Sequence, residues 1–138
     1  MSTEMNQQLL REFVEEVWNR GRLERIPDYV SSDYVLHHPS CPIRGVEALA
    51  GMIAQYRVGF PDLDLKVEEM LADGDRLAVR YTLIGTHYGT LSGFEPSGRS
   101  VTIPGLSLVR WVDGKQQEEW SQWDSSSALQ QIGALTDG

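Results

Sequence analysis

Cysteine is almost absent from this 138-residue chain: Cys41 stands alone, so no internal disulfide can form. Histidine is nearly as scarce, with three copies and no set of ligands at zinc-site spacing, so no metal is expected. Long apolar runs are missing, and Met1 to Asn6 lacks the basic start and apolar core of a signal peptide. No membrane partner is expected, and the cytoplasm is the default location. Positive charge is short as well: 12 Lys and Arg against 20 Asp and Glu leave a net charge of −8, with no local basic cluster. Such a chain repels a phosphate backbone, which argues against nucleic acid as a partner. Gly-rich phosphate loops, nucleophile elbows and a supported Cys–His pair are also lacking, so nucleotide use and covalent catalysis have no support.

What remains is the composition of an ordinary globular protein, 41% hydrophobic and 23% charged, at a length that fits one domain over residues 1–138. Leu9, Leu10, Phe13, Val14, Val17 and Trp18 recur at three- and four-residue spacing, predicting a helix that ends near Asn19-Arg20-Gly21. A short helix follows from about Arg22 to Tyr29, then a strand over Tyr34–His38 stopped by Pro39 and Pro42. Val46, Leu49, Ile53, Tyr56 and Phe60 mark a second long helix closed by Pro61-Asp62. Alternation then predicts strands over Leu63–Leu71, Leu77–His87, Val101–Val112 and Gln116–Asp124, with a tail helix from Ser125 to Ile132. The breaks fall at Asp73-Gly74, Ser97-Gly98 and Asp113-Gly114. Helices followed by hairpin-linked strands indicate an α+β fold, a curved antiparallel sheet with helices on one face around an apolar pocket. The Gly- and Pro-rich stretch Tyr88 to Arg99 is the natural rim or lid of such a pocket.

Five segments, Tyr34-Val35-x-His37, Phe60-Pro61-Asp62-Leu63, Gly85-Thr86-His87-x-Gly89, Pro96-Ser97-Gly98-Arg99 and Asp113-Gly114-Lys115-x-x-Glu118-x-Trp120-x-x-x-Asp124, resemble the SnoaL-like polyketide cyclase family of the nuclear transport factor 2-like superfamily. The resemblance runs from about Leu10 to Gly133. It implies a cone of bent sheet and about three helices with an apolar cavity at one end. It also implies a carboxylate at Asp124 as general acid/base, with His37 and, at the mouth, His87 as assistants.

On the last strand only one row can face that cavity: Glu118, Trp120, Gln122 and Asp124, or Glu119, Ser121 and Trp123. The resemblance selects the row with Asp124, which brings Trp120 inside as a flat wall. Asp124 is also a good helix cap for the serines that follow, and His37 and His87 are equally explained as structural hydrogen-bonding residues. If Gly105, Ser107, Val109 and Trp111 face inward, Ser107 stands where some cyclases of the family carry a more basic or acidic group. Trp18, Tyr34, Met52, Tyr56 and Phe60 are candidate ligand-wall residues, although such residues at helical spacing are usually core.

The expected function is therefore cofactor-independent acid/base chemistry, an aldol cyclisation or related isomerisation, on a small hydrophobic carbonyl compound. A non-catalytic binding domain and a hydrolase or dehydratase of the same superfamily are the alternatives. A homodimer is expected too, because Leu106, Leu108 and Trp123 would otherwise expose an apolar strip on the convex face. Sedimentation at micromolar concentration checks it, a monomer being the contrary result.

Overall fold

In the computed structural model, which describes residues 2–38, 42–91 and 93–133, Ser2 opens the first helix: its hydroxyl accepts from Met5 N at 3.1 Å. Thr3–Phe13 (α1) buries Leu10 and Phe13, then widens into a π-helical segment over Val14–Asn19. The helix stops at Gly21, whose φ of 72° strains any residue with a Cβ. The freed carbonyls of Trp18 and Asn19 accept from the Arg57 guanidinium at 2.6 and 2.9 Å. The next helix is shorter than the spacing predicts, a 3-10 turn at Leu23–Arg25 and one α turn, Ile26–Tyr29 (α2). Pro27 explains this, since proline is tolerated only in a first turn and so sets the start at Ile26.

Val30–His37 (β1) begins four residues earlier than expected, and Ile43–Arg44 (β2) pairs back onto it. Pro39 and Cys41 lie outside the described residues. Gly45–Gly59 (α3) follows, then Asp64–Asp73 (β3), Arg76–Thr86 (β4), Ser100–Val112 (β5), Lys115–Trp123 (β6) and Ser125–Gln131 (α4). The strands form one six-stranded curved sheet in the order β2-β1-β6-β5-β4-β3. Four of its five pairings are antiparallel; β1 and β6 run parallel. The expected antiparallel arrangement holds elsewhere in the sheet, and this one pairing is its exception. Hairpins force neighbours to run antiparallel, whereas β1 and β6 come from opposite ends of the chain with no such constraint.

The helices pack on one face. Leu10, Phe13 and Val17 meet Leu49 and Ile53 of α3 over Leu77, Val79 and Val109 of the sheet. A second cluster beneath α4 gathers Phe60, Leu63, Leu83, Val101 and Ile132.

One local feature positions the site. Asp113 and Gly114, with φ of 52° and 78°, form a two-residue turn that pairs Val112 with Lys115 and Trp111 with Gln116. The next pair is Arg110 with Glu118, so Gln117 is an extra residue in β6, a β-bulge. Beyond it Val109 faces Glu119 and Ser107 faces Ser121.

Candidate functional site

A one-residue bulge moves every later side chain of its strand to the opposite face. Gln116 points inward before the bulge, and Glu119, Ser121 and Trp123 point inward after it, all four lining a cavity between sheet and helices. The row expected inside, Glu118, Trp120, Gln122 and Asp124, is absent from that lining. On β5, Ser107 and Val109 line the cavity and Trp111 is buried beyond them. Trp18, Tyr34, Met52 and Tyr56 also line it, alongside apolar side chains of α1 and of β3 to β5.

The cavity is narrow. Its volume is about 80 Å³, room for several waters, since each needs roughly 10–15 Å³. Trp18, Tyr56 and Trp123 form its aromatic wall, with ring centroids 6.1 and 6.2 Å apart in sequence.

One carboxyl stands among its polar groups. Glu119 Oε1 accepts from the Tyr34 hydroxyl at 2.7 Å. Ser107 Oγ lies 2.7 Å from Ser121 Oγ, which lies 2.9 Å from the Tyr81 hydroxyl. By area Glu119 is only half-buried, because the cavity reaches it, yet its carboxyl is enclosed by protein. Burial raises its pKa above the ordinary 4.5, against the opposing pull of the Tyr34 hydrogen bond and the nearby Ser107 hydroxyl. Burial and the neighbouring Glu119 carboxylate hold the Tyr34 phenol well above 10, so Tyr34 stays the donor of the pair. Gln116, also fully buried, has no hydrogen-bond partner for Nε2 among the described residues.

The three expected catalytic residues lie elsewhere. Asp124 is exposed and caps α4, its carboxylate accepting from Ser127 N at 2.9 Å. His37 shares the outer face with Glu118, which it meets at 2.7 Å, and stacks on Trp120 with ring centroids 5.2 Å apart. Inward and outward rows alternate on β1, and Tyr34 and Leu36 take the inward one. Arg110 adds a contact to Glu118 at 3.2 Å. The hydrogen bond from His37, then Arg110, pulls the Glu118 carboxyl below 4.5. Adjacent residues Glu118 and Glu119 thus shift in opposite directions because the sheet separates them.

His87 is fully buried at the end of β4, outside the lining. Its Nδ1 lies 2.9 Å from Ser97 Oγ and accepts from Ser97 N at 3.2 Å, while its own backbone pairs with Arg99 and Gly98. It anchors the 88–99 loop. None of that loop's described residues lines the cavity, contrary to the expected rim; the loop docks on the end of α3, where Gly89 lies against Val58 O too closely for a Cβ.

Phe60 packs in the second cluster, against His87 and over Gly85, rather than in the ligand wall. Trp120 is exposed, with Arg76 5.8 Å from its ring centroid. It takes the place expected of Trp123 in the outer apolar strip with Leu106 and Leu108, the last being its cross-strand partner.

Among the described residues no three His, Cys, Asp or Glu side chains converge as a metal site, and no helix is long and apolar enough to cross a membrane.

The family model of SnoaL-like polyketide cyclases matches residues 8–132. Aklanonic acid methyl ester cyclase DnrD of Streptomyces peucetius is 27% identical, over 96% of this chain and 92% of its own. Nogalonic acid methyl ester cyclase of Streptomyces nogalater is 27% identical, over 84% and 89%. Among solved structures, AclR of Streptomyces galilaeus, a candidate hydroxylase, has a TM-score of 0.87 at 31% identity, over 99% of this chain and 89% of its own. One fold thus carries names of different chemistries, and the pocket has to decide between them.

Proposed function

The chain belongs to the SnoaL-like polyketide cyclase family, and on that premise we propose that it is a cofactor-independent enzyme whose general acid/base is Glu119. The substrate is a small hydrophobic carbonyl compound of polyketide type, and the reaction an aldol cyclisation or related isomerisation. The observation that carries this reading is a carboxyl of raised pKa among apolar walls, fixed by the Tyr34 hydroxyl at 2.7 Å.

Glu119 takes a proton from the carbon next to a carbonyl. The carbanion, its charge spread over the substrate's own carbonyls, attacks a second carbonyl carbon, and the new alkoxide receives the proton back. The Tyr34 hydrogen bond holds the carboxyl in one orientation, and the apolar lining limits competing water.

A domain that merely sequesters an apolar metabolite gains nothing from a buried carboxyl, whose desolvation costs free energy. That favours catalysis over simple binding.

Turnover of aklanonic acid methyl ester, the compound in the curated relatives' names, tests the proposal. Activity is expected to survive a chelator and to fall with acid along a limb above 4.5, since only ionised Glu119 accepts the proton. The Glu118→Gln variant keeps that limb unchanged. A limb at or below the ordinary carboxylate value, or a metal requirement, removes this mechanism.

A further inference from the structure

We propose that Gln116 holds the reacting carbonyl of the substrate: its side-chain amide N–H donates to that oxygen while the neighbouring carbon faces Glu119. The proposal rests on Glu119 being the acid/base group and adds the ligand atom that its neighbour in the cavity takes, a carbonyl oxygen on its way to an enolate.

The amide of Gln116 is a buried donor that the fold leaves unused. Ser107 and Ser121, the other buried polar residues of the lining, meet each other at 2.7 Å, whereas Gln116 Nε2 has no partner among the described residues. Its strand neighbours cannot supply one. Across on β5 stands Trp111, whose indole only donates, and across on β1 stands Val30. A buried N–H without an acceptor opposes folding. Methionine is also long and unbranched and has no such donor, so packing alone does not call for an amide at this position. Gln116 lines the cavity together with Glu119 and Tyr34, and an acceptor reaches it from there.

The bulge sets this amide beside the carboxyl. In a regular strand residues three apart point to opposite faces, but the extra residue Gln117 leaves Gln116 and Glu119 on the same one. Gln116 stands opposite Trp111 and Glu119 opposite Val109, two residues apart along β5. The two side chains therefore rise from rungs roughly 7 Å apart. An H–C–C=O unit bridges such a gap, with its hydrogen toward the carboxylate and its oxygen toward the amide.

The donor set also fixes the class of ligand. Nε2 only donates, so it holds no cation, and an anionic ligand group would stand beside a second negative charge once Glu119 ionises. A carbonyl oxygen is neutral when it binds and gains charge only as Glu119 loses its own. In that step the C–H bond next to the carbonyl breaks and its proton joins Glu119. Its electron pair becomes the new C=C bond, and the carbonyl pair moves onto the oxygen held by Gln116. The enolate carbon then bonds to the second carbonyl carbon, and the alkoxide formed there takes the proton back from Glu119. A hydrogen bond stronger to the enolate than to the ketone lowers the barrier instead of merely tightening binding.

The first test needs no turnover. With 15N in the glutamine side chains, and the Gln116→Met spectrum as assignment, cyclohexanone is expected to move the Gln116 amide proton downfield along a saturating curve. Methylenecyclohexane, which has the same shape and no acceptor oxygen, should not. Equal shifts from both compounds, or none from the ketone, overturn the proposal. In turnover of aklanonic acid methyl ester, Gln116→Met is expected to lower kcat by about 100-fold, the low end of the loss on removing one oxyanion donor. KM should change little, and the melting temperature should stay equal or rise. A merely structural amide gives the reverse, a lower melting temperature with kcat intact per folded molecule, and that result also overturns the proposal. Full turnover in Gln116→Met beside a dead Glu119→Gln rejects the role of Gln116 alone. Full turnover in Glu119→Gln rejects the reading of the site beneath it, and the ketone shift then judges Gln116 by itself.

Discussion

Glu119→Gln is expected to lower turnover by about 10²- to 10⁴-fold, the span of general acid/base contributions, while raising the melting temperature at neutral pH. The amide keeps the shape and can still accept from Tyr34 at the position of Oε1, but it cannot take up a proton. The stability gain follows from the raised pKa. A carboxyl that holds its proton more tightly folded than unfolded stabilises the protein fully below the unfolded value. That contribution is lost as pH climbs from about the ordinary 4.5 through the raised folded value. The glutamine variant never ionises and keeps it. Melting temperatures across pH 4 to 8 on both proteins should therefore diverge as pH rises, roughly between the two pKa values. Asp124→Asn is the control: Asn is as good a cap as Asp, so both turnover and melting temperature should stay close to the parent. An inactive, stable Asp124→Asn beside an active Glu119→Gln would return the acid/base role to Asp124.

Phe60→Ala is expected to cost about 3–5 kcal/mol, the usual range for a buried aromatic truncated to alanine. The ring is fully buried, Gly85 makes room for it, and His87 lies 6.1 Å away between centroids. Relaxation cannot fill the space cheaply, because Gly85 contributes no side chain. Since Phe60 does not line the cavity, turnover per folded molecule should change little at temperatures where the variant remains folded. Denaturant unfolding and kcat on one preparation separate the effects. A variant of normal stability with a raised KM would move Phe60 back into the ligand wall.

How far the sequence carries varies with the length scale of the signal. The α1 stripe, the α3 stripe and the β4 and β5 strands declare themselves by period over ten or more residues, and they lie where the spacing predicts within a few positions. The β5 row is legible for the same reason: Ser107, Val109 and Trp111 alternate with exposed or partly exposed neighbours. The β6 row was not. A two-residue Asp113-Gly114 turn without a bulge pairs Val109 with Glu118 and turns that row inward; the extra residue at Gln117 reverses it. Both rows contain a carboxylate, a tryptophan and a polar residue, so composition cannot choose between them. The inward position of Ser107 was the available clue, but it needs the register to become a statement about Ser121. Tyr81 carried a plainer signal, sharing the apolar alternation of Leu77, Val79 and Leu83. Phe60 fits the α3 stripe but sits just past the helix end, where its side chain leaves the face that Tyr56 occupies.

The amide of Asn19, at the end of the π-helical segment, donates to Leu65 O at 3.2 Å and accepts from Leu65 N at 2.7 Å. It occupies the place of a peptide group from a neighbouring strand, on the outermost strand of the sheet. An uncovered strand edge is a template on which further chains can add, and aggregation begins there. One side chain occupies the backbone pairing groups at Leu65, exposed charges at Asp64 and Lys66 flank it, and the opposite margin, β2, offers only two residues to pair with. The helix end that holds Trp18 in the cavity wall therefore also protects the sheet against fibril-like growth, so loosening it would threaten solubility as well as the shape of the pocket.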